Sequence, residues 1–368
     1  MNVVSFPPAD LSDQDILGCY DDRFEDARRR LRDLCAAQGL RWSEFPIAGG
    51  DSLCRVDIGP EKATGRLIVL SGVHGIEGFC GSAVQIALLR RLAGHPPGTR
   101  VILLHMVNPS GARAGRRTNR DNVDLNRNLL FDHTALARVD ARARAIARLF
   151  SDPVLSRLPD PVWVPLALAR AMVCGGLATV RKTLAGGQFF DPRTPFFGGR
   201  SLSPELATLL TAVGDATGAA TAPRTILFDL HSGVGRYGAA SLLGHGESAL
   251  SPRAVFGVPV ADGHGPKGVG FPARGEVVGG LKARLDATEA CGVTFEFGTG
   301  PALGTLLAIR ASNSAHVHFP ASRRREQAAR ARMTRAFCPN DPAWRIGYVR
   351  RALHFLDRAI HCLANGEA

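Results

Sequence analysis

An α/β domain with a mostly buried central β-sheet and helices on both faces is the fold this sequence predicts. Three observations carry that reading. Short apolar runs alternate along the chain with longer stretches whose apolar residues fall at helical spacing. The runs are apolar at nearly every position rather than at every second one, the mark of strands covered on both faces. At 368 residues, with 45% hydrophobic side chains, the chain is long enough to enclose such a sheet.

The elements follow in order. Residues 11–39 place Phe24, Ala27, Leu31, Leu34 and Cys35 at helical spacing, so one helix is predicted there. Strands are predicted at 52–58 and 66–72, and a helix at 80–93 that stops before Gly94 and Pro96. RVILLHMVNP at 100–109 reads as a buried strand closed by Asn-Pro, and 110–133 as a polar, arginine-rich loop. Helices are predicted over 134–150, 160–185 and 203–217. RTILFDLHSG at 224–233, ASLLGHG at 240–246 and GVTFEFGTGP at 292–301 are further strands. The glycine- and proline-rich stretch 251–280 reads as loops. Helices at 302–314, 321–337 and 343–363 close the chain. There is no repeat and no low-complexity linker, so a single domain over 1–368 is expected, with a helical insertion around 151–200.

Composition excludes several classes. The net charge is +12, and all but four of the 45 basic residues are arginines. A basic chain attracts nucleic acid, but these arginines are scattered, with local clusters at 28–32, 113–120 and 323–335 and no aromatic-rich basic motif. No specific nucleic-acid partner is expected. The 8 cysteines form no CxxC pair and are irregularly spaced, against both a disulfide framework and a cysteine zinc site. Reduced thiols in a cytoplasm fit better. MNVVSFPPADLSDQD lacks the basic and apolar regions of a signal peptide. The most apolar run, 162–180, contains Pro165 and Arg170, so a buried helix is expected there rather than a membrane span. GHGPKGVG and GEVVGG lack the lysine and hydroxyl of a phosphate loop.

In an open α/β sheet, chemistry gathers at the carboxyl ends of strands. After RLIVL comes SGVHGIEG, with His74 and Glu77. After VILLHMV comes Asn108-Pro-Ser-Gly111, then Arg116-Arg117 and DNVDLNRN. After TILFDL comes His231, and within VTFEF lies Glu296. Two histidines and a carboxylate are a common ligand set for a hydrolytic zinc, which keeps one position for water. His74 and Glu77, three apart where a strand gives way to a helix, can turn inward together. His231, at another strand end, can complete the triad. A glutamate between Phe295 and Phe297 in an apolar strand is costly unless paired or functional, and beside a metal-bound water it can act as general base. Arg127, with Asn126 beside it, has the donors to grip a carboxylate. Arg116 or Arg117 can stabilise an oxyanion. Arg113 and Arg120 read as surface arginines.

Taken together, the order HxxE, NPxG, RR with DLNRN, DLHSG and FEFGT resembles the zinc carboxypeptidase family, over roughly 66–300. More narrowly it resembles a bacterial branch with runs such as RRxNxDNVDLNRN, related to the aspartoacylase and succinylglutamate desuccinylase group. The resemblance implies a mixed sheet of about eight strands between helices. It implies one zinc per chain, held by residues matching His74, Glu77 and His231, and a general base matching Glu296. It matches Asn126 and Arg127 to the pair that binds the substrate's terminal carboxylate. Arg117, or Arg116 in the other register of the doublet, matches the carbonyl-polarising arginine. Asp124 matches a carboxylate that orients the first zinc histidine, a role a ligating imidazole needs. The family's mobile tyrosine has one counterpart in the right interval, Tyr237, only six residues after His231; a packed loop tyrosine is the other reading.

The other histidines read as structural. His316 and His318 precede a proline away from other ligands, His105 lies inside an apolar strand, and His95, His133, His245 and His264 read as solvent-facing loop residues. Asp229 alternates with His231 and carries no assigned role. The expected function is a zinc-dependent hydrolase that cleaves an amide bond beside a free carboxylate, carboxypeptidase-like, acting on a peptide. An alternative is a deacylase of N-acyl amino acids, aspartoacylase-like. From another class, a non-catalytic metal- or ligand-binding protein would keep the pocket without the chemistry. Nothing in the sequence indicates an oligomeric state or a membrane partner.

Overall fold

The computed structural model describes residues 11–94, 97–132, 141–176, 186–217, 224–233, 235–248, 250–262, 274–285 and 289–366. The strands are Arg41–Ile47 (β1), Asp51–Ile58 (β2), Gly65–Ser71 (β3), Arg100–His105 (β4), Arg224–Gly233 (β5), Ala240–Gly244 (β6), Ala261–Asp262 (β7) and Ala290–Gly298 (β8). They form one eight-stranded sheet in the order β1-β2-β4-β3-β5-β8-β6-β7. The centre is parallel, from β4 through β3 and β5 to β8. β1 and β2 pair antiparallel at one side, and β6 pairs antiparallel to β8 at the other. The sheet is therefore mixed, with helices on both faces, as the sequence predicts.

Alternation within the apolar runs divides the sheet between two cores. In β3, Leu67 and Val69 join one core while Ile68 and Leu70 join the other; in β4, Val101 and Leu103 part from Ile102 and Leu104 in the same way. The first core is closed by helices that include Phe24–Ala37, Gly78–Leu92 and Pro342–Asn365, and the second by helices that include Pro204–Thr217 and Val277–Lys282. In β5, Ile226, Phe228 and Leu230 face the first core, and in β8 so do Val293, Phe295 and Phe297. The period-2 geometry of a strand then sends Asp229, His231, Thr294 and Glu296 to the opposite face. A third apolar cluster, Ile146, Leu149, Phe150, Trp163 and Cys174, lies within helices Ala141–Ser151 and Asp160–Val173 and the turn after them.

Several elements differ from the sequence reading. The helix expected over 11–39 is two helices, Asp13–Leu17 and Phe24–Ala37. Ser12 and Asp15 form a reciprocal capping box at the first, and Gly18 ends it; the apolar period begins only at Phe24. β1 was not foreseen, because RWSEFPI is a largely exposed edge strand whose polar residues and Pro46 give no apolar run. The loop expected at 110–133 contains a short helix, Pro109–Ala114, started by Asn108 and Pro109. Within 251–280, Pro252–Phe256, β7 and the start of Val277–Lys282 are regular structure. The helix expected over 160–185 is seen from Asp160 to Val173, and 177–185 lies outside the described residues, as does 134–140 of the helix expected from 134. His95, His133 and His264 also lie outside them.

Candidate metal centre

β3 ends at Ser71, and the chain turns through Gly72 into a single 3-10 turn, Gly75–Glu77, which leads into the helix Gly78–Leu92. The backbone of that turn is stitched to the arginine doublet. Gly75 N–H donates to the Arg117 carbonyl at 3.2 Å and Ile76 N–H to the Arg116 carbonyl at 2.8 Å. Residue 75 must be glycine, since a β-carbon there would stand 2.3 Å from the Ala112 nitrogen. Asn108 ties the same layer together: its Oδ1 accepts Gly111 N–H at 2.9 Å and its Nδ2 donates to the Arg117 carbonyl at 3.2 Å. Downstream, Asn122 adopts φ +60° and donates to the Pro192 carbonyl and to Asn313, while Asn128 donates to the carbonyls of Gly198 and Ser201. Asn122 and Asn128 are braces that help fix where Asp124 and the arginines stand.

His74, Glu77 and His231 converge, with one ligand atom from each lying within 4.8 Å of the others. All three are buried. The imidazoles meet edge to face, ring centroids 4.7 Å apart. Each ring is anchored through Nε2 by a carboxylate, His74 by Asp124 Oδ1 at 3.1 Å and His231 by Asp229 Oδ2 at 2.7 Å. Both Nδ1 atoms therefore face Glu77, His74 at 3.0 Å from Oε1 and His231 at 2.9 Å from Oε2. The contact at His74 is close, yet its buried Nδ1 has no hydrogen-bond partner. A buried, unpaired imidazole nitrogen is costly, and a cation beside Glu77 removes that cost. The donor set, two imidazole nitrogens and a carboxylate oxygen, fits zinc.

The surrounding charges keep the buried carboxylates ionised. Burial would raise the Glu77 pKa, but His74 and His231 outweigh it and keep the carboxyl well below its usual range. Asp124 is likewise held low against burial, by Arg127, Arg117 and His74. Asp124 Oδ2 lies 2.6 Å from Arg127 Nη1 and 3.2 Å from Arg117 Nε, while an Arg117 terminal nitrogen lies 3.1 Å from Glu77 Oε1. Burial would lower the Arg117 pKa; Asp124 and Glu77 prevail and hold it above the ordinary value. For Arg127, burial, aided by Arg117, outweighs Asp124 and pulls the pKa down.

Glu296 stands directly beside His231 across the β5–β8 pair. It is half-buried, and its Oε1 lies 3.5 Å from where a β-carbon on Gly233 would sit. The doublet divides: Arg117 turns to Glu77 and Asp124, and Arg116 turns to His316 Nδ1 at 2.6 Å, Thr118 and the Asn119 carbonyl. Burial, with Arg116, pushes His316 down to about 4, so this ring is a neutral acceptor. Asn126 Oδ1 accepts Val277 N–H at 3.0 Å. Tyr237 is 48% exposed, and its hydroxyl donates to Asp341 at 2.7 Å. No contact between it and the histidines or Glu77 occurs among the described interactions. His245 is not a solvent-facing loop residue: it is buried between Glu276 at 2.7 Å and Thr294 at 2.8 Å. The flanking glycines made it read as a loop. Asp229, unassigned from sequence, proves to anchor His231; the signal was its place two residues before that histidine on one strand face.

Against this geometry, the comparisons with known proteins are informative mainly about fold. A family described as "Protein of unknown function (DUF2817)" matches residues 20–351. The chain belongs to this family. No curated protein matches this DUF2817 chain. Among solved structures, bovine thrombin-activatable fibrinolysis inhibitor, in complex with tick carboxypeptidase inhibitor, aligns at TM-score 0.51 and 10% identity, over 94% of this chain and 98% of that one. Carboxypeptidase A from Helicoverpa armigera aligns at TM-score 0.44 and 14% identity, over 85% and 73%. Succinylglutamate desuccinylase from Chromobacterium violaceum aligns at TM-score 0.37 and 16% identity, over 82% and 76%. The DUF2817 chain has a carboxypeptidase-like α/β fold.

Proposed function

We propose that the chain is a metal-dependent hydrolase of the carboxypeptidase kind, cleaving an amide bond next to a free carboxylate. The observation that carries this reading is the arrangement of His74, Glu77 and His231, with both Nε2 atoms anchored and both Nδ1 atoms turned to one carboxylate. These three residues would hold zinc, one ion per chain. Bound there, zinc supplies a Lewis acid and a water acidic enough to lose its proton near neutral pH.

The chain's own groups supply the rest. Glu296, beside His231 in register, takes the proton from the attacking water and delivers it to the leaving amine. Arg117, held charged by Asp124 and Glu77, offers guanidinium N–H groups to the oxygen that becomes negative as the carbonyl is attacked. Asn126 and Arg127 receive the substrate's free carboxylate. Asp124 serves several of these groups at once, because it orients His74 and holds both guanidinium groups.

The test is hydrolysis of a panel of N-blocked dipeptides and N-acyl amino acids, before and after chelation and zinc restoration. The expected result is cleavage that chelation abolishes and zinc restores, with dipeptides preferred. Preference for N-acyl amino acids would make the chain a deacylase with the same centre. Zinc binding without turnover of any substrate would favour a binding protein.

A further inference from the structure

The apolar run at 162–180 leads the sequence reading to expect a buried helix. The helix Asp160–Val173 instead lies largely exposed, with only Trp163 and Ala171 buried. Nine large hydrophobic side chains are exposed among the described residues. Six of them, Val154, Val162, Leu166, Leu168, Met172 and Val173, fall within 154–173, and Met172 and Val173 are 71% and 86% exposed. At about 100° per residue, positions 161, 162, 165, 166, 168, 169, 172 and 173 share one arc about 160° wide. Every one is exposed and apolar, and Arg170 stands at the border of the arc. The opposite side of the helix is already occupied: Trp163 packs on Phe150 and donates to the Leu149 carbonyl at 3.0 Å. An apolar face left open in this way marks a contact surface.

Charge decides what the face meets. Residues 141–176 hold five arginines, Arg142, Arg144, Arg148, Arg157 and Arg170, against two aspartates, and 161–176 contains no acid. Both aspartates are engaged. Asp152 accepts the N–H groups of Val154 and Leu155, and Asp160 pairs with Arg310 and Arg332. An anionic lipid surface answers both features, since its acyl boundary takes an apolar helix face and its headgroups attract arginine. A second copy answers them less well, because each chain carries a net charge of +12. The helix has 14 residues, about 21 Å of length, which suits lying in an interface and is too short to cross it.

We propose that the apolar face of Asp160–Val173 docks the protein on an anionic lipid bilayer, the helix lying in the plane of the surface with the neighbouring arginines at the headgroups.

The test is co-sedimentation of the full chain with vesicles of phosphatidylcholine alone and of an equal mixture of phosphatidylcholine and phosphatidylglycerol. Three forms are compared: the parent, the double variant Met172→Gln with Val173→Gln, and Arg170→Gln. The parent is expected to bind the mixed vesicles at least about tenfold more tightly than the neutral ones. The double variant, whose net charge is that of the parent, should lose about tenfold on the mixed vesicles, and Arg170→Gln about fivefold. All the substituted side chains are exposed, so both variants should keep the parent's thermal transition. A parent that stays in the supernatant overturns the proposal. So does a double variant that binds as the parent does, since scattered arginines would then account for the binding. A parent that is a dimer in sedimentation equilibrium, becomes a monomer in the double variant and binds no vesicle would assign the face to a second copy, and overturns the proposal equally.

Discussion

Glu77 touches both histidines and Arg117 with its two oxygens, so a single carboxylate links the proposed ligands to the arginine proposed to stabilise the oxyanion. The general-base assignment is separable from the ligands. Glu296→Gln is expected to cut kcat by about 10²–10⁴-fold while zinc binds as in the parent; turnover at the parental rate would remove Glu296 from that role. Asp229→Asn leaves the ligands intact but loosens the His231 anchor, so zinc affinity in a chelator competition should fall about 10–100-fold; an unchanged affinity would mean that His231 is held by other contacts. Gly75→Ala puts a β-carbon against the backbone of Gly111 and Ala112 and should weaken zinc binding along with stability. At this scale the sequence is informative where chemistry restricts the residue type: His74, Glu77, His231 and Glu296 each stand out at a strand end. It is silent where a polar residue serves another polar residue. The bracing by Asn108, Asn122 and Asn128 and the burial of His245 depend on partners 30 or more positions away, at Pro192, Asn313, Gly198, Ser201, Glu276 and Thr294, or on loop geometry as at Arg117.

Strands carry the centre, and their stability can be read separately. His105, the last residue of β4, is buried against Ser82 at 2.9 Å, and burial pushes its pKa down to about 3. The unfolded chain protonates this histidine below its ordinary value while the folded chain does not. Its contribution is therefore fully present above about pH 6.5 and is lost as pH falls toward 3, at up to about 1.4 kcal/mol per pH unit. Urea unfolding at pH 4.5, 5.5 and 6.5 should show this slope in the parent and a shallower one in His105→Gln; equal slopes would assign the dependence to other groups. Phe295 of β8 packs against Phe228, Phe297, Tyr348 and Phe355, so Phe295→Ala should cost about 3–5 kcal/mol. The central strands were legible because burial on both faces leaves continuous apolar runs. β1 was not, because an edge strand needs no such run, and the break between the first two helices was hidden by reading one period across Gly18.

For the molecule as a whole, the +12 charge is spread over arginines, many of them paired with carboxylates as in Arg113 with Glu25 and Asp51. Binding to nucleic acid should be weak and fall steeply with salt; tight sequence-specific binding would contradict this. No helix among the described residues is long and apolar enough to cross a membrane. The cluster around Trp163 is joined to Ala302–His318 by Arg310, which stacks on Trp163 and pairs with Asp160 at 2.9 Å. We propose that the chain unfolds as one domain, seen as a single thermal transition that chelation moves to lower temperature. Most direct for the central claim is zinc titration into the chelated full chain, comparing the parent with His74→Ala and His231→Ala. The expected result is one ion per parent chain and none held with comparable affinity by either variant; a variant that binds zinc as the parent does would contradict the assignment of these side chains to a metal centre.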